Sequence, residues 1–336
     1  MLPLRRRLAF LAASCLALAA CVTAVASGDR RDEGPALQIR LAALAERARP
    51  GTLGIAVLDL NSGASRRINA ARGYPMMSVF KAPLGAAVLE RVDRGELSLE
   101  HAITLTSTDL RPGPGPIRGE LQAGRTEFSV RRLLDAAVSE SDNTAADALV
   151  KLVGGPAVVT AFLRAHGIDG IRIDRDERTL AHDIDGLPAN VDVPPADESA
   201  VEKLARKRHG YAAYLADQRD TSTPDAAAGF LRKLWRGELV SRASTALMVE
   251  MMTHSPTVPN RLKGGVPTGA RLAHKSGTSI TFEGVTAAHN DIGILSWPDG
   301  RTVIVAAFLT GSPASEQERD AIFAALARDV AGELHP

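Results

Sequence analysis

The sequence predicts an α/β fold: an antiparallel sheet assembled from both ends of the chain, with flanking helices and an all-α subdomain inserted between its halves. Three observations lead there. Strand-like runs occupy Leu53 to Leu60 near the start, and Arg271–His274, Asp291–Trp297 and Thr302–Leu309 near the end. Between Ser78 and about Met252 the apolar residues recur mostly at helical spacing. The last two strand-like runs are joined across Pro298-Asp299-Gly300, a hairpin signal. Strands at both termini with helices between them fit one sheet interrupted by an insertion, and a cleft between the two parts is where a site is expected.

Taken in order, the first residues are an address. Arg5-Arg6-Arg7 precede an apolar run, Leu8 to Ala20, too short to span a membrane and suited to a secretory leader, so residues 1–21 are read as a signal peptide. Two exits are open. Leu18-Ala19-Ala20-Cys21 resembles a bacterial lipobox, which would lipidate Cys21 and anchor the protein to a membrane; Ala24-Val25-Ala26 fits ordinary cleavage. Either way the expectation is an exported, periplasmic protein. Residues 22–35 read as a polar tether, and 36–335 as one catalytic unit. Its α/β part covers about 36–75 and 257–335 and its helical part about 76–256, with an insertion at about 183–219.

Within that unit, Leu37, Ile39, Leu41, Leu44 and Ala45 form a helix stopped by Pro50-Gly51. Asn61-Ser62-Gly63 turns the first strand into a second, and Glu316 to Glu333 closes the chain with an amphipathic helix. Aromatics are only 4% of the 336 residues, so the core must be built from Ala, Leu, Val and Ile. Lys+Arg 40 against Asp+Glu 39 leaves no basic excess for phosphates, which argues against a nucleic-acid partner. Cys15 and Cys21 are the only cysteines and both lie in the leader. The mature unit therefore has no disulfide and no thiol chemistry. The histidines His101, His166, His209, His254 and His289 show no metal spacing, and neither a metal nor a cofactor is expected.

Three short stretches carry chemistry. Ser78-Val-Phe-Lys81 starts a helix that stops at Gly95, and one turn separates the serine from the lysine, so hydroxyl and amine share a face. A serine is a poor nucleophile until a base takes its proton, and a lysine of lowered pKa can do that. An N-cap serine beside a surface lysine would read the same. Ser141-Asp-Asn143 sits between two helical runs: Ser141 could relay a proton to a leaving nitrogen, and Asn143 could hold a substrate carbonyl and the Lys81 amine, although Ser/Asp caps are common. Lys275-Ser276-Gly277-Thr278 follows Leu272-Ala273-His274 on an edge strand. There Lys275 would attract a carboxylate, Gly277 would let backbones approach, and the Thr278 N–H could join that of Ser78 in an oxyanion hole.

Tyr74-Pro-Met-Met-Ser78-Val-Phe-Lys81, Ser141-Asp-Asn143-Thr-Ala-Ala, Gly154-Gly155-Pro156, Asp220-Thr-Ser-Thr-Pro224 and His274-Lys275-Ser276-Gly277-Thr278 together resemble the class A serine β-lactamases over about 36–334. The resemblance implies a periplasmic, monomeric, cofactor-free hydrolase that opens the β-lactam ring of penicillins and cephalosporins. In that scheme Ser78 attacks, Lys81 and Glu177 are bases, Ser141 protonates the leaving nitrogen, and Glu177 activates the water that frees the acyl-enzyme. It also implies that Asp220 pairs with Arg175 and pins the Ω-loop of Arg175-Asp-Glu177-Arg-Thr-Leu180.

Three departures stand against the family pattern. Some thirty extra residues lie between Glu177 and Asp220, with a helix-like stretch from Glu198 to Arg208 followed by Tyr211 and Tyr214; a length like this is more often a surface elaboration than a lid. The asparagine that commonly helps hold the water reads Ala181, with His182 beside it. The arginine commonly found on the strand after the KTG-type motif reads Asn290, while Arg261 lies upstream. This matches a branch that uses such an arginine for the substrate carboxylate, some of whose members accept cephalosporins readily. Two rival readings remain: a penicillin-binding or D,D-peptidase-like protein that acylates and deacylates poorly, and a non-catalytic binding lipoprotein.

Overall fold

The computed structural model describes residues 34–188, 191 and 193–335. The leader, Cys21 and the tether up to residue 33 lie outside the described residues. Helix α1 (Gly34–Arg47) begins inside the stretch read as tether. Strands β1 (Thr52–Asp59) and β2 (Ser65–Ile68) follow as a hairpin, turning at Gly63 with φ +76°. After the two-residue β3 (Tyr74–Pro75), a 3-10 turn at Met77–Phe80 leads into α2 (Lys81–Asp93). The helical part continues with β4 (Ala102–Thr104), α3 (Ile117–Gln122), β5 (Glu127–Ser129), α4 (Val130–Val138), α5 (Asn143–Leu152) and α6 (Pro156–Ala165). Then come α7 (Glu177–Asp185), α8 (Ala200–Ala216), β6 (Thr221–Ser222), α9 (Pro224–Trp235) and α10 (Arg242–Thr253). The chain returns to the sheet as β7 (Arg271–Thr278), the short hairpin β8 (Thr281–Phe282) and β9 (Val285–Thr286), β10 (His289–Ser296) and β11 (Thr302–Thr310), and ends in α11 (Glu316–Leu334).

The five-stranded sheet runs β2-β1-β11-β10-β7, antiparallel throughout. The predicted joining of the two ends is its central feature: β1 pairs with β11 from Thr52↔Thr310 to Asp59↔Val303. Side chains alternate across the sheet as the strand period requires. Val303, Val305, Ala307 and Leu309 of β11 face α1 and α11, packing with Leu37, Leu41, Phe323 and Leu326. Ile304, Ala306 and Phe308 face the helical side and join a core with Leu84, Val88, Leu134 and Phe230. Residues 81–89 of α2 are all buried, as befits a helix at the centre of the helical part.

Two local differences from the expectation matter. The first strand of the return runs four residues past His274 to Thr278, so Lys275–Thr278 are themselves edge-strand residues. The stretch after Arg175, read as an Ω-loop, starts a helix: Asp176 caps α7 by accepting from the Thr179 N–H, and Glu177 is the first helical residue.

Candidate active site

Ser78 lies on the 3-10 turn that feeds α2, and Lys81 is the first residue of that helix. The preceding residue, Met77, holds φ +47°, a conformation rare for a side chain of its size. Ser141 (φ +63°) and Asp220 (φ +50°) are in the same region. Strain of this kind costs about 1–3 kcal/mol per residue and persists only where the surroundings enforce it. The surroundings here are specific. The Asn290 amide donates to the carbonyls of Pro75 (2.8 Å) and Met76 (3.1 Å), tying β10 to the serine turn. A Cβ on Gly277 would collide with the Met76 carbonyl and press on the Ser78 N–H, so only glycine lets β7 lie this close to the serine.

Lys81 is fully buried, and its three N–H bonds are committed: to Ser78 Oγ (3.0 Å), to the Ser141 carbonyl (2.8 Å) and to Asn143 Oδ1 (2.5 Å). Glu177 Oε1 lies 3.0 Å from the same nitrogen as an ion pair, off the hydrogen-bond directions. Among the described residues this buried oxygen accepts no hydrogen bond. The site thus holds a carboxylate beside the serine–lysine pair with a lone pair to spare. Asn143, at the first position of α5, also donates to the Pro112 carbonyl (2.7 Å). Asp142 is the α5 cap, accepting from Ala145 N (2.8 Å) and Ile117 N (2.9 Å), so the Ser-Asp-Asn stretch serves both as a helix cap and as a source of site side chains.

From the facing edge strand, the fully buried Lys275 donates to Ser141 Oγ (2.9 Å) and to the Ser276 carbonyl (3.0 Å). Burial, then the Lys81 ammonium, pushes the Lys275 amine well below the ordinary lysine range. Ser276 Oγ is 3.4 Å from Thr257 Oγ1, and Thr278 is exposed at the strand end. Ser78, Lys81, Ser141, Asn143, Glu177 and Lys275 are therefore joined through direct contacts. Arg261 is placed differently: 1% exposed, it meets Asp320 through Nε (3.2 Å) and the carbonyls of Asn290 (3.1 Å) and Gly277 (3.5 Å) through Nη1. The side chain expected to meet a carboxylate is buried, with its Nε and Nη1 engaged by protein groups.

The anchors of Glu177 include one the sequence did not announce. Asp220 accepts from Arg175 Nε (2.6 Å) and from the N–H groups of Asp174 (2.7 Å) and Arg175 (3.1 Å), the pin that the resemblance implied. The other anchor is Asp147 of α5, which accepts from Glu177 N (2.7 Å), Arg178 N (3.2 Å) and Arg111 Nε (2.6 Å). Nothing in its sequence context marks it; only the fold brings it under α7. It also borders a cavity of about 730 Å³ lined by Ile103, Leu105, Arg111, Val150 and Asp176. Ala181 is four residues past Glu177, one helical turn on, and is exposed. His182 is turned about 140° around the helix from Glu177.

Burial, together with the neighbouring Asp176, pushes the Asp147 carboxyl from 3.8 up to about 6. A folded value above the unfolded one means stability that is fully present below about pH 4 and lost as pH rises through about 6. Relative to Asp147→Asn, which does not titrate, the parent should lose about 2–3 kcal/mol between pH 4 and pH 7.5. Denaturant unfolding of both proteins across that range measures the difference; a gap independent of pH would refute it.

The model of the "Beta-lactamase enzyme family" matches residues 36–334. β-Lactamase VEB-1 of Pseudomonas aeruginosa is 31% identical over 283 residues, 84% of this chain and 85% of the relative. The extended-spectrum β-lactamase PER-1 of the same organism is 33% identical over 278 residues, 82% and 80% of the two chains. Among solved structures, the class A β-lactamase of the last common ancestor of Gram-negative bacteria superposes with a TM-score of 0.72 at 35% identity, covering 89% of this chain and 100% of its own.

Proposed function

The chain belongs to the class A serine β-lactamases, hydrolases that act on β-lactams and confer resistance to them, and we propose that it turns over penicillins and cephalosporins through an acyl-enzyme on Ser78. One observation carries this reading: Lys81 Nζ stands 3.0 Å from Ser78 Oγ and 3.0 Å from a Glu177 oxygen with no hydrogen bond to accept. Ser78 Oγ attacks the lactam carbonyl, and its proton is taken up by Lys81. The oxyanion that forms is met by the N–H groups of Ser78 and Thr278. As the ring C–N bond breaks, Ser141 gives its proton to the nitrogen and is resupplied by the proton that Ser78 gave up, relayed from the Lys81 amine beside it, while Lys275 holds the Ser141 hydroxyl in place and Glu177 stays a carboxylate. Glu177 then takes a proton from water, whose oxygen adds to the ester carbonyl; Ser78 leaves with a proton and the ring-opened acid is released.

For binding, Asn143 and Ser276 hold the substrate's acyl amide and carboxylate, with Thr278 alongside. Lys275 and the guanidinium of Arg261, acting through the strand it supports, supply the positive field. Incubation with a chromogenic cephalosporin, followed by intact mass, tests the whole scheme. Catalytic turnover with a transient adduct is expected. A stoichiometric burst that then stops would favour the D,D-peptidase-like reading, and no adduct at all the non-catalytic one.

Export belongs to the same proposal, supported by the Arg5–Arg7 and Leu8–Ala20 leader. Cell fractionation with the N-terminal mass distinguishes a lipidated Cys21 from cleavage after Ala26. A cytoplasmic chain that keeps its leader would contradict both.

A further inference from the structure

Part of the extra stretch between Glu177 and Asp220 packs as a helix against α7. Helix α8 continues past the expected Arg208 to Ala216, carrying Tyr211 and Tyr214 on it, and Ser199 and Glu202 cap its start reciprocally. It lies tightly on α7. Gly210, in mid-helix where glycine is less favourable than alanine, meets Gly186 at the end of α7 so closely that a Cβ on either would collide with the other segment's backbone. Arg206 closes the same junction by pairing with Asp185 (2.6 Å) and Glu198 (2.6 Å).

The two tyrosines reach the site's own supports. Tyr214, 4% exposed, directs its hydroxyl to the sulfur of Met77 (2.8 Å), the strained residue that precedes Ser78. Tyr211 OH accepts from Ala287 N (2.8 Å) and has the carbonyls of Ile280 and Val285 at 2.9 Å, so it closes the β8–β9 hairpin that follows Thr278. Both rings belong to one apolar cluster with Ala287 and with Leu180 of α7, three residues past Glu177, against which Met77, Ile184 and Phe282 pack. The Arg208–Glu283 pair joins α8 to the β8–β9 hairpin at the surface, where solvent screens an ion pair. The buried aromatic surfaces carry far more.

We propose that α8 is a positioning element for deacylation, in which Tyr214 and Tyr211 hold the Glu177 helix, the Ser78 turn and the β8–β9 hairpin in one register. The proposal rests on the reading of Glu177 as the base that frees the acyl-enzyme. Ser78 and Lys81 are also held by Ser141, Asn143 and Asn290, through hydrogen bonds that run, among the described residues, to the serine turn and to Lys81 rather than to α8. Acylation should therefore survive a loosened α8. Deacylation should not, because it needs Glu177 placed against an ester on Ser78, and a displacement of about 1 Å can cost about 100-fold.

Rapid-quench mass spectrometry with a β-lactam separates the two rates. Tyr214→Ala is expected to slow deacylation about 10-fold or more while acylation stays within about threefold, so that adduct accumulates; Tyr214→Phe, which keeps the ring, should recover most of the loss. Arg208→Ala should leave both rates unchanged. If Tyr214→Ala does not fold, Tyr214→Leu and Tyr211→Phe report the same ratio. A fall in melting temperature with the ratio of the two rates unchanged would overturn the proposal and make α8 structural only. A parent enzyme that is never acylated would instead sink the reading on which the proposal rests, which the same experiment shows at its first time point.

Discussion

Glu177→Gln is expected to acylate at close to the parent rate and then stall, with a stable adduct on Ser78 and turnover reduced about 10³-fold or more. The geometry dictates the asymmetry. Lys81 spends its three donors on Ser78, Ser141 and Asn143, so the serine keeps its amine neighbour when the carboxylate becomes an amide. What disappears is the buried carboxylate oxygen that pairs with Lys81 and, among the described residues, accepts no hydrogen bond. An amide of the same shape keeps the backbone bond to Asp147 and the helix α7, so lost deacylation would not be a folding defect. Steady-state assay with a chromogenic cephalosporin, alongside intact mass, reads both quantities. Parent-like hydrolysis by this variant would remove Glu177 from the mechanism.

Lys81→Ala is expected to be the mirror case, failing before the adduct forms. The amine is the centre of the polar network, fully buried and in contact with the nucleophile, the Ser141 loop, Asn143 and Glu177. Its removal leaves the Glu177 carboxylate buried without a counter-charge, a change that costs about 3–5 kcal/mol in comparable settings. Acylation should fall about 10³-fold or more, and the melting temperature should drop as well. Lys81→Ala combined with Glu177→Gln should regain much of the stability without regaining acylation, because the buried charge is then gone while the base is still missing. Thermal melts of the two variants with single-turnover mass measurements decide this; a double variant no more stable than the single one would contradict the account.

The sequence carried the architecture because long apolar runs leave few options. Residues 303–309 alternate between two cores, and such a strand has to be interior to a sheet covered on both faces. The short stretches around Ser78, Ser141 and Lys275 were legible for another reason: the chemistry needs a fixed spacing on a helix start, a loop and an edge strand. Helix α7 escaped because its first turn is charged, with only Leu180 and Ile184 to mark a buried side. Asp147 escaped because an aspartate within an amphipathic helix normally faces water, and only tertiary structure turns this one onto the backbone of Glu177. The positive φ values at Met77 and Ser141 fall on residues that no local preference would nominate. The reach of Arg261 was read too far forward: its position along the chain suits a carboxylate, but Asp320 and two strand carbonyls hold its guanidinium.

Time-resolved intact mass of the parent and of Ser78→Ala, each mixed with the same penicillin, bears most directly on the central claim that a lysine-activated hydroxyl and a free carboxylate oxygen together turn over a covalent intermediate. The parent should gain the mass of one antibiotic and lose it again while ring-opened product accumulates, and Ser78→Ala should show neither event. Product formed by Ser78→Ala at the parent's rate, or an adduct carried on another residue, would contradict the account.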